Sequence, residues 1–120
     1  MLRAKAKIKF PIAILQYETG KIMLKNISRH DFLQVYYDLE SHFTNALKRF
    51  SNASEESNYY ALSEVFDMMR RKLAIPKTYY SLSLSIPQAR CLVKLFSMNS
   101  ISSNTLEINA LLDQKLPKLC

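Results

Sequence analysis

The two histidines are the residues of this sequence best suited to acid-base chemistry, and each has a carboxylate nearby. Asp38 and His42 are four residues apart, which places them on one face of a helix, and His30 directly precedes Asp31. A carboxylate beside an imidazole can fix its tautomer and orient it, as a general base requires. The same spacing also describes an ordinary surface pair on a helix, worth roughly 0.2–0.5 kcal/mol.

The rest of a catalytic or metal site is missing from the sequence. No serine or cysteine nucleophile stands at a known catalytic spacing from either histidine, and Gly20 is the only glycine, so there is no Gly-rich loop to hold an oxyanion or a phosphate. Cys91 and Cys120 form neither a disulfide framework nor a metal-ligand motif with the histidines. We therefore expect a protein that is not an enzyme and binds no metal or small-molecule cofactor.

The positive charges are concentrated in the first quarter of the chain. The formal net charge is +7, and the first 30 residues hold seven cations against Glu18 alone. Four of these cations recur at every second residue, a row that spans roughly 20 Å in a strand. Such a row can contact successive phosphates without reading a base sequence. The predicted nucleic-acid-binding residues are Arg3, Lys5, Lys7, Lys9, Lys21, Lys25 and Arg29.

The lysine row also fits two roles that involve no partner. Edge strands often display lysine because its charge blocks pairing with a strand of another molecule. Residues 1–6 could also be a terminus with no fixed structure. A basic start without acids resembles a mitochondrial presequence, but these cations follow a strand period, not a helical one.

Tyrosine pairs and basic clusters have an ordinary structural interpretation. One tyrosine of each helical pair belongs to an apolar stripe and the other to its border, which favours packing over stacking on nucleic-acid bases. The basic clusters lie in the last turns of predicted helices, where cations complement the helix dipole. The pairs are Tyr36-Tyr37, Tyr59-Tyr60 and Tyr79-Tyr80, and the clusters are Lys48-Arg49 and Arg70-Arg71-Lys72.

The basic residues belong to a predicted β-hairpin over residues 3–25. Apolar and basic residues alternate from Leu2 to Phe10, which predicts a strand with one apolar and one lysine-rich face. Pro11 implies an edge position or a bulge. Ile12–Leu15 is apolar on both faces, as in a buried strand. Gly20 is expected to take a positive φ in the turn before a short return strand.

Two long amphipathic helices follow the hairpin. Apolar residues recur at steps of three and four from Phe32 to Phe50 and again from Tyr59 to Leu73, with a short polar loop between them. Ser28 is the predicted cap of the first helix and Ser54 that of the second. The pair should pack as an antiparallel αα-hairpin. Their apolar stripes are wider than one seam needs, since they also include Leu33, Val35, Tyr37, Leu47 and Val65.

The last third of the chain predicts one more strand and two short helices. Apolar residues alternate with serines from Tyr79 to Ile86, Pro87 opens a helix, and Asn104 with Glu107 starts a second one that ends before Pro117. Cys91 lies in an apolar helical pattern, which predicts a small buried thiol. The fold class is therefore α+β, with a small sheet packed on helices in a single domain over 1–120.

These patterns lead to two main functional hypotheses, and an enzyme that uses Asp38 and His42 is a third and less favoured one. In the first, a small non-catalytic binding or regulatory accessory protein uses its basic N-terminal hairpin to contact an acidic partner, for which nucleic acid is favoured. In the second, the helical hairpin's apolar faces bind a protein partner or a second copy of the chain. No stretch reaches the ~20 apolar residues that a membrane span needs. With two cysteines and no membrane segment, we expect a reduced, cytoplasmic setting.

Overall fold

A small antiparallel sheet packed on helices forms the fold, which confirms the predicted α+β class. The computed structural model describes residues 10–47 and 53–116, with side chains described at 10–42 and 60–116. The elements in chain order are β1 (Ile12–Gln16), β2 (Lys21–Ser28), α1 (Arg29–Leu47), α2 (Ala53–Leu73), β3 (Tyr79–Ser85), α3 (Ile86–Ser97) and α4 (Ser103–Lys115). The predicted strand over residues 3–9 lies outside the described residues.

β2 is the central strand of the sheet. It pairs antiparallel with β1 on one side and with β3 on the other. The β1–β2 turn closes with the Gly20 amide donating to the Gln16 carbonyl at 2.9 Å, and Gly20 has a φ of 66°. This is the conformation that the sequence predicted for the only glycine, because a residue without Cβ adopts it at little cost. No atom comes within 4 Å of a Cβ built on Gly20, so only its backbone favours glycine there.

A β-bulge lets β2 run three residues past the predicted end of the hairpin. Leu24 pairs with Leu82 and Ile27 with Tyr80, so β2 has one residue more than β3 in this interval. Asn26 has a φ of 61°, a left-handed conformation that asparagine tolerates better than most residues. Because of the extra residue, Leu24 and Ile27 both face the core, although three positions separate them.

In the part of the chain that the structure describes, only one face of the sheet is buried. Its inward residues Ala13, Ile22, Leu24, Ile27, Tyr80, Leu82 and Leu84 are at most 6% exposed. All four described helices contact the sheet, and because a single face is buried, they lie on that face. The opposite face is called the outer face below.

The two long helices pack side by side, as predicted. Tyr36 of α1 stacks on Phe66 of α2 with ring centroids 4.8 Å apart. The Asp31 amide donates to Ser28 Oγ at 3.2 Å, which confirms the predicted cap of α1. The predicted cap Ser54 falls where side chains are not described. Arg70 and Arg71, in the last turn of α2, both form ion pairs with Asp67.

The caps of the last two helices differ in part from the sequence expectations. Pro87 lies in the first turn of α3, as predicted, and Ser85 caps that helix in a reciprocal capping box with Gln88. The cap of α4 is Ser102 and not Asn104, so the predicted start was wrong. Asn104 lies inside the first turn, where its side-chain amide nitrogen donates to Asp31 Oδ1 at 2.6 Å.

None of the helices in the described part of the chain is long and apolar enough to cross a membrane.

Candidate nucleic-acid interface

Lys21 and Lys25 are exposed side chains of β2 on the outer face. They are four positions apart in the sequence, so their Cα atoms are about 13 Å apart in an extended strand. Neither lysine forms an ion pair with any carboxylate of the described residues. Lys21 lies opposite Ser85 of β3 and Lys25 opposite Ile12 of β1. Both ammonium groups are therefore open to an anionic partner.

The central position of β2 bears on why these lysines are there. Lysines protect a sheet from unwanted strand pairing when they lie on an edge strand. Since β2 is hydrogen-bonded to β1 and β3, its backbone offers no open edge to protect. Edge protection therefore does not explain Lys21 and Lys25. For Arg3, Lys5, Lys7 and Lys9, which lie outside the described residues, edge protection stays open.

Arg29 has a different environment from the two lysines. Its guanidinium donates to the Tyr80 hydroxyl at 2.6 Å, and that hydroxyl donates to the Ile75 carbonyl at 2.9 Å. The Tyr80 ring stacks on Phe32 with centroids 4.6 Å apart. Arg29 is thus held toward the side of the sheet that carries Tyr80. A guanidinium has five N–H donors, so the contact with Tyr80 leaves donors for an anion at this end of the sheet.

The sequence-based prediction of burial was wrong for the apolar side chains on the outer face. Ile12 and Ile14, expected in a strand buried on both faces, are 42% and 40% exposed. Their neighbour Ala13 faces the core instead. The reason is that the described helices cover one face of the sheet only, and hydrophobicity alone does not say which face has a covering layer. Phe10, two residues before the start of β1, is 71% exposed.

A groove lies beside the outer face, along the edge of β1 that pairs with no described strand. It has a volume of about 470 Å³ and lies between β1 and the end of α4, with Ile14, Tyr17 and Leu116 among its lining residues. The exposed Lys115 also lines it. The apolar row of β1 therefore has Lys21 and Lys25 on one side and Lys115 on the other.

Asp38 and His42, the candidates for acid-base chemistry, serve the packing of α1 against the start of α4. Asp38 Oδ2 accepts hydrogen bonds from the backbone amide of Ser102 at 3.1 Å and from its hydroxyl at 2.9 Å, and also from the Thr105 hydroxyl. His42 Nε2 lies 2.8 Å from the Ser100 carbonyl and must donate to it. The two side chains share a helix face, as predicted, but each bonds to the α3–α4 connection and not to the other.

The remaining candidates for chemistry do not form a site in the described residues. No group of three or more His, Cys, Asp or Glu side chains there could hold a metal ion. Cys91 is only partly buried, where a buried thiol was predicted. Burial raises the pKa of the Cys91 thiol, and the nearby Lys94 ammonium lowers it by less. A raised pKa reduces the thiolate fraction, which is the reactive form of cysteine.

Of the described tyrosines in the three pairs, Tyr80 is a core residue and Tyr36 and Tyr79 are partly buried, whereas Tyr37 and Tyr60 are exposed. Tyr36 is half-buried in the stack with Phe66, whereas Tyr37 is 53% exposed. Tyr80 is 3% exposed and Tyr79, on the serine side of β3, is half-buried. The side chain of Tyr59 is not described, and Tyr60 is exposed.

Comparison with known proteins adds no relative, because no protein-family model, no curated protein and no solved structure matches the chain.

Proposed function

We propose that this chain is a non-catalytic nucleic-acid-binding protein whose basic N-terminal hairpin contacts the phosphate backbone. The observation on which the proposal depends is the uncovered outer face of the sheet, where Lys21 and Lys25 point to solvent without a carboxylate partner among the described residues. Since edge protection does not apply to a central strand, it does not compete with anion binding as the role of these two cations.

The distribution of charge along the chain supports the same partner. The first 30 residues contribute +6 of the net +7, and this segment includes the whole hairpin. Each phosphate that a lysine neutralises releases a condensed counterion, so binding gains free energy that depends strongly on salt. Contacts of this kind hold the backbone and carry no sequence information.

Salt-dependent binding of labelled oligonucleotides tests this proposal. Fluorescence anisotropy against duplex DNA, single-stranded DNA and RNA at several salt concentrations should show micromolar or tighter binding that weakens steeply as salt rises. The double variant K21E/K25E should bind more weakly, and its slope of log K against log salt should fall by about 1.5, because two phosphate contacts are lost. A second variant, in which Lys5, Lys7 and Lys9 become Glu, tests whether the predicted lysine row of residues 3–9 also contacts phosphates. If it does, this variant should bind more weakly.

A control variant separates the position of the charges from their number. K77E/K94E changes net charge by the same amount at two exposed lysines outside the sheet, and it should bind nearly as the unaltered chain does. The proposal fails if no nucleic acid binds at low salt, or if the two double variants weaken binding equally.

The competing hypothesis is association through the apolar faces of the helical hairpin. Val35 and Val65 are two of the residues that made the predicted apolar stripes wider than one seam needs. They are buried in the chain's own core, at 3% and 0% exposure. Tyr37 and Tyr60 are the large apolar residues of α1 and α2 that are exposed among the described side chains. Light scattering at high protein concentration tests the dimer, and a strict monomer there removes it.

A further inference from the structure

The outer face combines a row of apolar side chains with a row of cations on the neighbouring strand. Ile12 and Ile14 follow each other at period two along β1, the exposed Phe10 precedes the start of that strand by two residues, and Met23 lies opposite Ile14 on β2. Lys21 and Lys25 flank Met23 on β2, where all three side chains share one face. Phosphate contacts explain the cations, but they give no role to the apolar row.

The geometry of the two rows suits an extended polynucleotide. Side chains at period two are about 6.6 Å apart along a strand, and neighbouring strands are about 4.8 Å apart. The first distance is close to the reach of one nucleotide in an extended strand. A backbone that follows β2 over its lysines would therefore bring successive bases over the row on β1.

We propose that the outer face binds single-stranded nucleic acid, with phosphates on Lys21 and Lys25 and unstacked bases on Phe10, Ile12 and Ile14. This inference rests on the proposed function and specifies its ligand. Charge complementarity selects a polyanion, because the open lysines of β2, and Lys115 across the groove, surround the apolar row. Base faces are available only in a single strand, since a duplex keeps them inside its stack and presents phosphates, sugars and groove edges.

The expected energetics follow from contacts of this type in other proteins. Packing of one base on an aromatic side chain is worth about 1–3 kcal/mol, which is roughly five- to 150-fold in affinity. Such packing tolerates any base sequence, because every base has an apolar face. The preference for a single strand should thus be at least about tenfold over a duplex of the same sequence.

Two variants with unchanged charge test the role of the apolar row. F10S/I14T removes apolar surface from the outer face, and I75T/L106S removes comparable surface from two exposed positions outside the sheet. Measured by anisotropy at fixed salt, F10S/I14T should lower single-strand affinity about tenfold and leave duplex affinity and the salt slope unchanged. I75T/L106S should leave both affinities unchanged, and thermal unfolding confirms that each variant is folded.

A tryptophan reporter provides a second measurement that does not depend on affinity. The chain has no tryptophan, so Phe10→Trp gives a single indole signal on the outer face. Stacking of a base on this ring should quench its fluorescence when a single strand binds and leave it nearly constant with a duplex.

The outcomes separate this inference from the proposed function. Equal affinity for single strand and duplex, both lost in K21E/K25E, supports phosphate binding and overturns the base-packing role. An F10S/I14T variant with full single-strand affinity, or an indole signal in Phe10→Trp that no single strand changes, overturns it as well. Absence of binding to either form refutes the proposed function together with the inference.

Discussion

Replacing Asp38 is expected to destabilise the protein more than any change to an exposed carboxylate. The carboxylate of Asp38 joins α1 to the N-terminus of α4, since one oxygen accepts from the Ser102 amide, the Ser102 hydroxyl and the Thr105 hydroxyl. Thr105 has no exposed surface, and Ser102 is itself the cap of α4. In Asp38→Ala these donors lose their shared acceptor at a partly buried contact between α1 and α4.

The size of the effect can be worked out from these partners. The two hydroxyls are 3.0 Å apart, so one can still donate to the other, and the Ser102 amide and the second hydroxyl proton stay without their acceptor. A hydrogen bond to a charged group contributes about 1.5–3 kcal/mol, and an orphaned donor costs about 1–3 kcal/mol. Asp38→Ala should therefore lower the free energy of unfolding by about 2–4 kcal/mol. For a chain of 120 residues, this corresponds to a fall of roughly 8–16 °C in Tm.

Urea unfolding followed by circular dichroism measures this free energy directly. Asp38→Asn keeps one acceptor oxygen and the side-chain shape, so it should lose only about 1–2 kcal/mol. Glu107→Ala removes an exposed carboxylate from α4 itself and should change stability by less than about 0.5 kcal/mol. If Asp38→Ala is as stable as Glu107→Ala, the hydrogen bonds of Asp38 do not hold α4 in place and the reasoning is refuted.

Three further changes test the bulge, the Tyr80 hydroxyl and the thiol. Asn26→Val should cost about 1–2 kcal/mol in urea unfolding, because a β-branched residue is strained at a φ of 61°, whereas Asn26→Gly should stay within about 0.5 kcal/mol. Tyr80→Phe keeps the ring stack but removes the hydroxyl that bonds to Arg29 and the 75–77 backbone, at a cost of about 1–2 kcal/mol in the same assay. In a Cys120→Ser background, Cys91 should react with a disulfide reagent at neutral pH more slowly than a small free thiol, because its raised pKa lowers the thiolate fraction.

Each of these three has its own control. Equal stability of Asn26→Val and Asn26→Gly would show that the left-handed backbone is not strained by a side chain. Tyr17→Phe serves as the control for Tyr80→Phe, since Tyr17 is 87% exposed. The thiol reaction is repeated in urea, where Cys91 should react as fast as the free thiol, and a folded rate equal to the unfolded rate would contradict the burial effect.

The sequence by itself determined which segments form helices and strands. Apolar residues at every second position indicate a strand, and apolar residues at steps of three and four indicate a helix, because each backbone then places them on one face. Both patterns are strong in this sequence. The hairpin turn followed from Gly20 and the start of α1 from Ser28, because a positive φ and an unpaired helix N–H each call for a small set of residue types. These features need only neighbours along the chain.

Only the tertiary structure decided which surfaces are covered and which partners the polar groups find. Periodicity gives a strand two faces but does not say whether a layer packs on each, so Ile12 and Ile14 were expected to be buried and are exposed. Ser102 and Asn104 are both good capping residues, and Ser102 caps α4 while bonding to Asp38, 64 positions away. Likewise, the sequence predicted Lys21 and Lys25 as binding residues, but only the pairing of β3 with the far side of β2 places them on a central strand and not on an edge. Contacts between residues so distant in the chain leave no periodic signal, since they arise only when the elements pack together.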